Sequence, residues 1–297
     1  MHEGQVEVDE GSLAAAMDRQ FPEYAGLPVR RVDSAGTVVA PFRVGDHLLA
    51  RVPLVPEDSQ EARARLHLEQ AHARHLRGRL PVEVPSPVGV GEPFPGYPGT
   101  WSLWTWLEGV SLDHAPAADP VRMARGVGGL IRAHQSMPTG GRSWNGAGRG
   151  GTPLQDSEWV RSSIAKSSHL VDAARVTAAW ERALRADPHP GAAVYIHGDP
   201  MPGNLLVRDG RLTGMVDVSV PVFGDPAADL QPAWVLFDEP ARSVFLEAVG
   251  LSDAAHERGR GWALEMAIGG LHYYEHTNPV FFHQAAGTLR RLLEQKT

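Results

Sequence analysis

The stretch from Val194 to Asp229, VYIHGDPMPGNLLVRDGRLTGMVDVSVPVFGDPAAD, carries the reading of this chain. An apolar strand over Ala193–Ile196 delivers His197-Gly198-Asp199 into a loop, and Asn204 follows just before the next strand. Asp209-Gly210, between Leu205–Arg208 and Leu212–Val216, is the strongest hairpin turn signal in the chain, because both residues tolerate the positive φ that a tight turn needs. A tight hairpin brings its two ends together, so Asn204 and Asp217 are expected side by side. One amide oxygen and one carboxylate form a hard, oxygen-only donor set that suits Mg²⁺ better than zinc. Asp199, upstream on the same loop, is then placed to act on a substrate hydroxyl as general base.

Outward from this stretch, the order of elements is sheet first and helix later. A short amphipathic helix is expected over residues 11–24. Extended segments follow at Val29–Val32, Val39–Phe42 and Leu48–Val52, separated by the turn compositions Ser34-Ala35-Gly36-Thr37 and Gly45-Asp46. Glu57–Arg79 reads as a solvated amphipathic helix. Six prolines between 81 and 98 make that segment irregular, with short strands at most. TWSLWTWL, residues 100–107, reads as a strand ended by Glu108-Gly109. Helices are expected at Asp119–Ser136, Asp156–Ala165 and Val171–Arg185, with a Gly-, Arg- and Ser-rich loop over 138–156. Beyond Asp229 the pattern is helical. The implied class is α+β in two lobes: a sheet-rich lobe over 1–105 and a helix-rich lobe over 106–297.

Composition excludes several functions. At 297 residues the chain suits one large domain or two closely associated lobes, taking roughly 150 residues per domain. The formal charge of −7 argues against nucleic acid as partner, since phosphate contacts need clustered Lys and Arg. No cysteine is present, so disulfides, thiolate metal sites and Cys nucleophiles are out. The acidic start lacks the basic-then-apolar order of a signal peptide, and no apolar run reaches the roughly 18 residues of a membrane helix. A cytoplasmic location without membrane contact is expected. Lys166 and Lys296 are the two lysines among 28 basic residues, and the others are arginine.

His197-Gly198-Asp199, four residues, Asn204, then Asp217 resembles the catalytic loop and metal-binding Asp of kinase-like phosphotransferases. The His-Gly-Asp form and the trailing Gly224-Asp225-Pro226-Ala227-Ala228-Asp229 are similar to the aminoglycoside phosphotransferase family, which includes macrolide phosphotransferases. Ser34–Thr37, Leu49-Ala50-Arg51, Trp106-Leu107-Glu108-Gly109 and the segment from Gly259 to Pro279 fall where that family has equivalents. The resemblance implies a protein-kinase-like two-lobed fold, with Asp199 as catalytic base and Asn204 with Asp217 as Mg²⁺ ligands. It also implies that Arg51 replaces the strand lysine holding the nucleotide phosphates, with Glu69 as its partner. Trp104 would fall at the back of the nucleotide pocket, and the backbone of Trp106 and Leu107 would meet the purine edge. Val218-Ser219-Val220-Pro221 and Pro200-Met201 depart from the family pattern beside the site.

Each of these residues also has a plainer reading. His197 is expected to support its loop rather than react, and Asp225 and Asp229 to tie the loop and cap a helix. His272 and His276, four apart on a helix, lack a third zinc ligand, so helix surface or acceptor wall is preferred. Trp234, Glu265, His272 and Glu275 are the candidate acceptor contacts. Phe237, Trp262, Phe281 and Phe282 could join Trp234 in an apolar wall. The resulting expectation is Mg²⁺-dependent transfer of the γ-phosphate of ATP or GTP to a hydroxyl of a small molecule. The acceptor is expected to be an antibiotic, of aminoglycoside type first and of macrolide type as the alternative. A different class of reading is a catalytically inactive homologue that binds nucleotide or ligand.

Overall fold

Alternation of buried and exposed residues at period two builds the first half of the chain. Strand β2 (Val39–Val44) turns at Gly45-Asp46 into β3 (Leu48–Pro53), and the two pair antiparallel with Val44 opposite Leu48. Ala40, Phe42 and Val44, with Leu48, Ala50 and Val52, turn to the interior, which leaves Leu49 and Arg51 on the opposite face. The computed structural model describes residues 4–33, 38–115, 117–146, 148–218 and 220–294, without the side chains of Leu154 and Asp156. The turn expected at Ser34–Thr37 lies outside the described residues.

Residue contacts divide the chain into two units. Met1–Gly78, Glu83–Glu108 and Met215–Val220 form one, and Arg79–Val82, Gly109–Gly214 and Pro221–Thr297 form the other. The first unit holds helix α1 (Glu10–Gln20), strand β1 (Val29–Arg31), β2, β3, helix α2 (Gln60–Leu76), β4 (Pro87–Gly91) and β5 (Trp101–Thr105). Its five-stranded antiparallel sheet has the order β1-β2-β3-β5-β4. Leu13, Ala16 and Met17 of α1 pack with Phe42, Ala50, Trp101 and Leu103 in one apolar cluster. Helix α1 stops at Gln20, short of the expected residue 24, because Pro22 follows and a single 3₁₀ turn takes over. Helix α2 opens on Ser59, whose hydroxyl accepts from the Ala62 amide.

The second unit begins with the two-residue strand β6 (Val110–Ser111), which pairs with β8 (Leu205–Arg208); β8 is joined to β9 (Arg211–Met215). Asp209 and Gly210 between them have φ of 51° and 68°, the paired positive values of the hairpin turn that their sequence predicts. Helices α3 (Pro120–Gln135), α4 (Ser157–Lys166) and α5 (Ala173–Leu184) lie within a residue or two of expectation, α3 and α5 starting on Asp119 and Asp172 as caps. Strand β7 (Val194–Ile196) pairs antiparallel with β10 (Val222–Gly224), and the chain ends in α6 (Pro232–Val235), α7 (Ala241–Val249), α8 (Asp253–Tyr274) and α9 (Pro279–Glu294). Neither β6 nor β10 was expected from the sequence. Among the described residues no helix is long and apolar enough to cross a membrane.

The loop over 138–156, read from composition as a plain connector, is tied to the β7–β10 ribbon. Arg142 lays its guanidinium 4.7 Å over the Phe223 ring and donates to the Tyr195 hydroxyl at 3.2 Å. The Asp225 amide donates to the Gly150 carbonyl at 2.9 Å. Gly150 has φ of 129°, open only to glycine, and a Cβ on Gly224 would lie 2.2 Å from the Gly150 oxygen. Gly224→Ala is therefore expected to cost roughly 1–3 kcal/mol, since the obstructing atoms are backbone and cannot rotate away. Chemical denaturation would measure it, and unchanged stability would show that the two segments do not meet.

Candidate active site

In the first unit the interior-facing Ala50 leaves Arg51 on the opposite face of β3, the side from which α2 presents Glu69. Arg51 Nη1 stands 3.8 Å from Glu69 Oε2, and its Nη2 donates to Asp217 Oδ1 at 2.6 Å. One planar guanidinium thus joins two carboxylates, a geometry that lysine, a single point charge, does not reproduce. Burial pushes the Glu69 carboxyl up, against the pull of Arg51 and with a smaller push from Asp217. Asp217 is held at φ of 56°, left-handed backbone that a non-glycine residue adopts at a cost of order 1–3 kcal/mol and that clusters at functional sites. Its neighbour Val218 is buried and anchors the turn.

Trp104 is also buried here, with its Nε1 donating to the Ser102 hydroxyl at 2.8 Å. The Trp106 amide donates to the His47 carbonyl at 2.7 Å, extending the sheet past the end of β5. That amide is committed within the sheet. The Trp106 ring lies under Arg43 at 4.6 Å, and Arg43 in turn pairs with Glu108 at 3.2 Å. Leu107, next along the chain, is half-buried.

In the second unit β7 ends at Ile196 and the chain turns through Gly198, whose φ of 77° admits glycine without strain. The buried Asp229 carboxylate accepts from the His197 amide at 2.9 Å and the Gly198 amide at 2.7 Å. Burial raises the Asp229 carboxyl, while the His197 ring and these two amides act the other way. Asp199 follows, its side chain 45% exposed. The Asn204 amide nitrogen donates back to the Asp199 carbonyl at 3.0 Å and to Oδ2 at 3.4 Å. Its nitrogen is thus committed to Asp199. A nearby pair secures the same segment. Arg258 holds Asp225 at 2.6 and 3.0 Å in a buried ion pair, and Asp225 caps the 3₁₀ turn that carries Asp229. His197, Asp225 and Asp229 therefore hold the loop in place.

Arg149 is the residue that sequence reading missed. Its Nη1 contacts Asp199 Oδ1 at 3.1 Å and the Gly198 carbonyl at 3.2 Å, and its Nε faces Glu265 Oε2 at 3.9 Å. An arginine 50 positions upstream in a Gly-rich loop leaves no spacing signal.

The candidate acceptor residues separate. Glu265 and His272 lie two turns apart on one side of α8, where Trp159 of α4 packs on Gly269 and its ring sits 5.8 Å from that of His272. Glu275 is paired with His169 at 3.0 Å. Trp234 is corrected: its ring is fully buried beneath the Arg260 guanidinium, so it cannot touch a substrate. Trp262 is buried as well, whereas Phe237 lines a cavity of about 330 Å³ with Leu112, Met123, Val235 and Pro202 of the Asp199–Asn204 loop.

The family described as APH, phosphotransferase enzyme family, matches residues 32–262. The GDP complex of wild-type aminoglycoside 2′-phosphotransferase-IIIa superposes at a TM-score of 0.69 with 17% identity, covering 96% of this chain and 99% of that one. Macrolide 2′-phosphotransferase type I superposes at 0.62 with 20% identity, covering 95% and 97%. The apoenzyme of macrolide 2′-phosphotransferase MphH from Brachybacterium faecium gives 0.58 with 21%, covering 97% and 99%. At these identities the likeness is one of fold. No curated protein matches the chain.

The Glu69 shift has a sign that can be measured. A carboxyl raised above its unfolded value of 4.5 binds its proton more tightly in the folded protein. The difference vanishes below that value and costs stability as the pH rises from it through the folded pKa. The wild type is expected to lose stability relative to Glu69→Gln over that interval and to run parallel to it above. Melting curves from pH 4 to pH 8 test this, and parallel curves throughout would show that Glu69 is not desolvated.

Proposed function

Because the chain belongs to the phosphotransferase enzyme family, we propose that it transfers the γ-phosphate of ATP or GTP to a hydroxyl of a small molecule, an antibiotic. The observation that carries this reading is Asp199: a carboxylate exposed at the end of a strand, in a loop whose preceding amides are pinned by Asp229 and onto which Asn204 folds back. A base so held loses little freedom on meeting its substrate, which is what phosphoryl transfer asks of a protein. The acceptor oxygen forms the new bond to phosphorus, the bond from phosphorus to the leaving oxygen breaks, and Asp199 takes the hydroxyl proton. The nucleoside diphosphate departs.

Asp217 and Asn204 would hold Mg²⁺. They offer a carboxylate and an amide oxygen, a donor set this hard cation prefers, and phosphate oxygens and water would complete it. When bound, Mg²⁺ neutralises phosphate charge. Arg51, steadied by Glu69, binds phosphate oxygens through its fork, in the role a lysine would fill as a point charge. Trp104 backs the nucleotide base, and the backbone at Trp106 and Leu107 borders its edge. A cytoplasmic location, where nucleoside triphosphates are supplied, belongs to the same reading.

For the acceptor, the aminoglycoside reading draws on the carboxylates Glu265 and Glu275 with His272 beside them. A macrolide-type acceptor is favoured by one specific observation. Glu265 and Glu275 already face Arg149 and His169, while the cavity that reaches the catalytic loop through Pro202 is lined mainly by apolar side chains. A polycation wants unpaired carboxylates, and a macrocycle wants apolar walls.

Two outcomes are expected. Asp199→Asn should lower kcat by about 100- to 10,000-fold, the usual range for a general base, with nucleotide affinity within a few-fold of wild type. Turnover close to wild type would remove Asp199 from the chemistry. Asp217→Ala should abolish the Mg²⁺ dependence of nucleotide binding in calorimetry. Wild-type affinity that is equal with and without Mg²⁺ would remove the metal site. Transfer from ATP and GTP, assayed across aminoglycosides, macrolides and small alcohols, identifies the acceptor. Nucleotide binding without transfer to any of them would favour the inactive homologue.

A further inference from the structure

Phosphoryl transfer spreads negative charge over three equatorial oxygens, and cations aimed at them are worth more than any covalent help. Between Asp199 and Asn204 the chain reads Pro200-Met201-Pro202-Gly203, with no cation. The second unit nevertheless holds one beside the base. Arg149 Nη1 lies 3.1 Å from Asp199 Oδ1, while among the described residues its Nη2 has no partner. Its side chain is 32% exposed.

We propose that Arg149 is a further catalytic residue, which contacts the transferring phosphoryl group and neutralises its charge; this rests on the transfer reading given above. Two features place it. The loop that carries it is fixed on either side, by Arg142 on the Phe223 ring and by the Gly150 carbonyl on the Asp225 amide. Glu265, 14% exposed, stands by Nε and keeps the guanidinium from swinging away. A hydroxyl bonded to Asp199 lies about 2.7 Å from the carboxylate. In near-attack geometry the phosphorus lies about 3–3.5 Å beyond, so the phosphoryl oxygens come within the span of a guanidinium already seated on that carboxylate. During transfer the bond from acceptor oxygen to phosphorus forms, the bond to the nucleoside diphosphate breaks, and the hydroxyl proton goes to Asp199. Arg149 keeps its proton throughout and meets the charge with the Nη2 edge. A tether whose work was only to hold Asp199 would need no unpartnered edge.

The experiment compares wild type, Arg149→Ala and Arg149→Lys in transfer to an acceptor the wild type uses, and in slow transfer to water, which needs no acceptor. Arg149→Ala is expected to lower kcat about 100- to 1000-fold in both reactions, with KM for nucleotide and acceptor within a few-fold and melting unchanged. Guanidinium ion added to that variant should restore part of the rate, and Arg149→Lys should fall between the two. A tether alone predicts no rescue, and a pure acceptor contact predicts a change in KM; either result overturns the proposal, as does an unchanged or higher kcat. A wild-type protein that transfers to neither acceptor nor water overturns the transfer reading and this proposal together. Wild-type turnover with an unaffected Arg149→Ala overturns the proposal alone.

Discussion

A single buried carboxylate sets the geometry on which the second unit depends. Asp229 is removed from water at a cost that only strong partners offset, and it finds them in the amides of His197 and Gly198. Two charge-assisted bonds to consecutive amides leave the backbone little choice, so Asp199 leaves the strand in one direction. The constraint is reinforced from behind. Asp225, four residues earlier, is gripped by Arg258 and caps the turn on which Asp229 sits. Removing either carboxylate would leave buried donors without acceptors, which is why such pairs persist although their net contribution to stability is small.

The first unit solves a different electrostatic problem. Glu69 and Asp217 are like charges on separate segments, and the arginine between them is what allows both to stay. A guanidinium offers two faces of a planar fork where an ammonium offers one centre. The chain has two lysines in its whole length, and the residue that bridges the two carboxylates is an arginine. The strained backbone at Asp217 belongs to the same arrangement. A left-handed aspartate persists only where its surroundings over-determine it, here by Arg51 on one side and the buried Val218 on the other.

Among the residues proposed to meet an acceptor, the polar groups named are already occupied. Glu265 faces Arg149, Glu275 faces His169, and Trp234 has withdrawn into the interior beneath Arg260. The cavity beside Pro202 presents mostly aliphatic and aromatic carbon. Family membership speaks to the reaction type and leaves the acceptor open.

The sequence by itself determined the class of fold, most element positions and the identity of the loop residues. Alternation, capping residues and the Asp209-Gly210 turn are local signals, and His197, Gly198, Asp199 and Asn204 stand close together in the chain. The Asp199–Asn204 contact and the Arg51–Glu69–Asp217 cluster join residues that the chain reading had named. What it could not determine was anything written in space alone. The short strand β10 has too few residues for a period, and the burial of Trp234 depends on helices that close over it. Arg149 reaches Asp199 because Gly150 and Gly224 let two backbones meet at a distance no other residue allows. That close approach is a steric fact between segments some 70 residues apart, so only the tertiary structure could decide it.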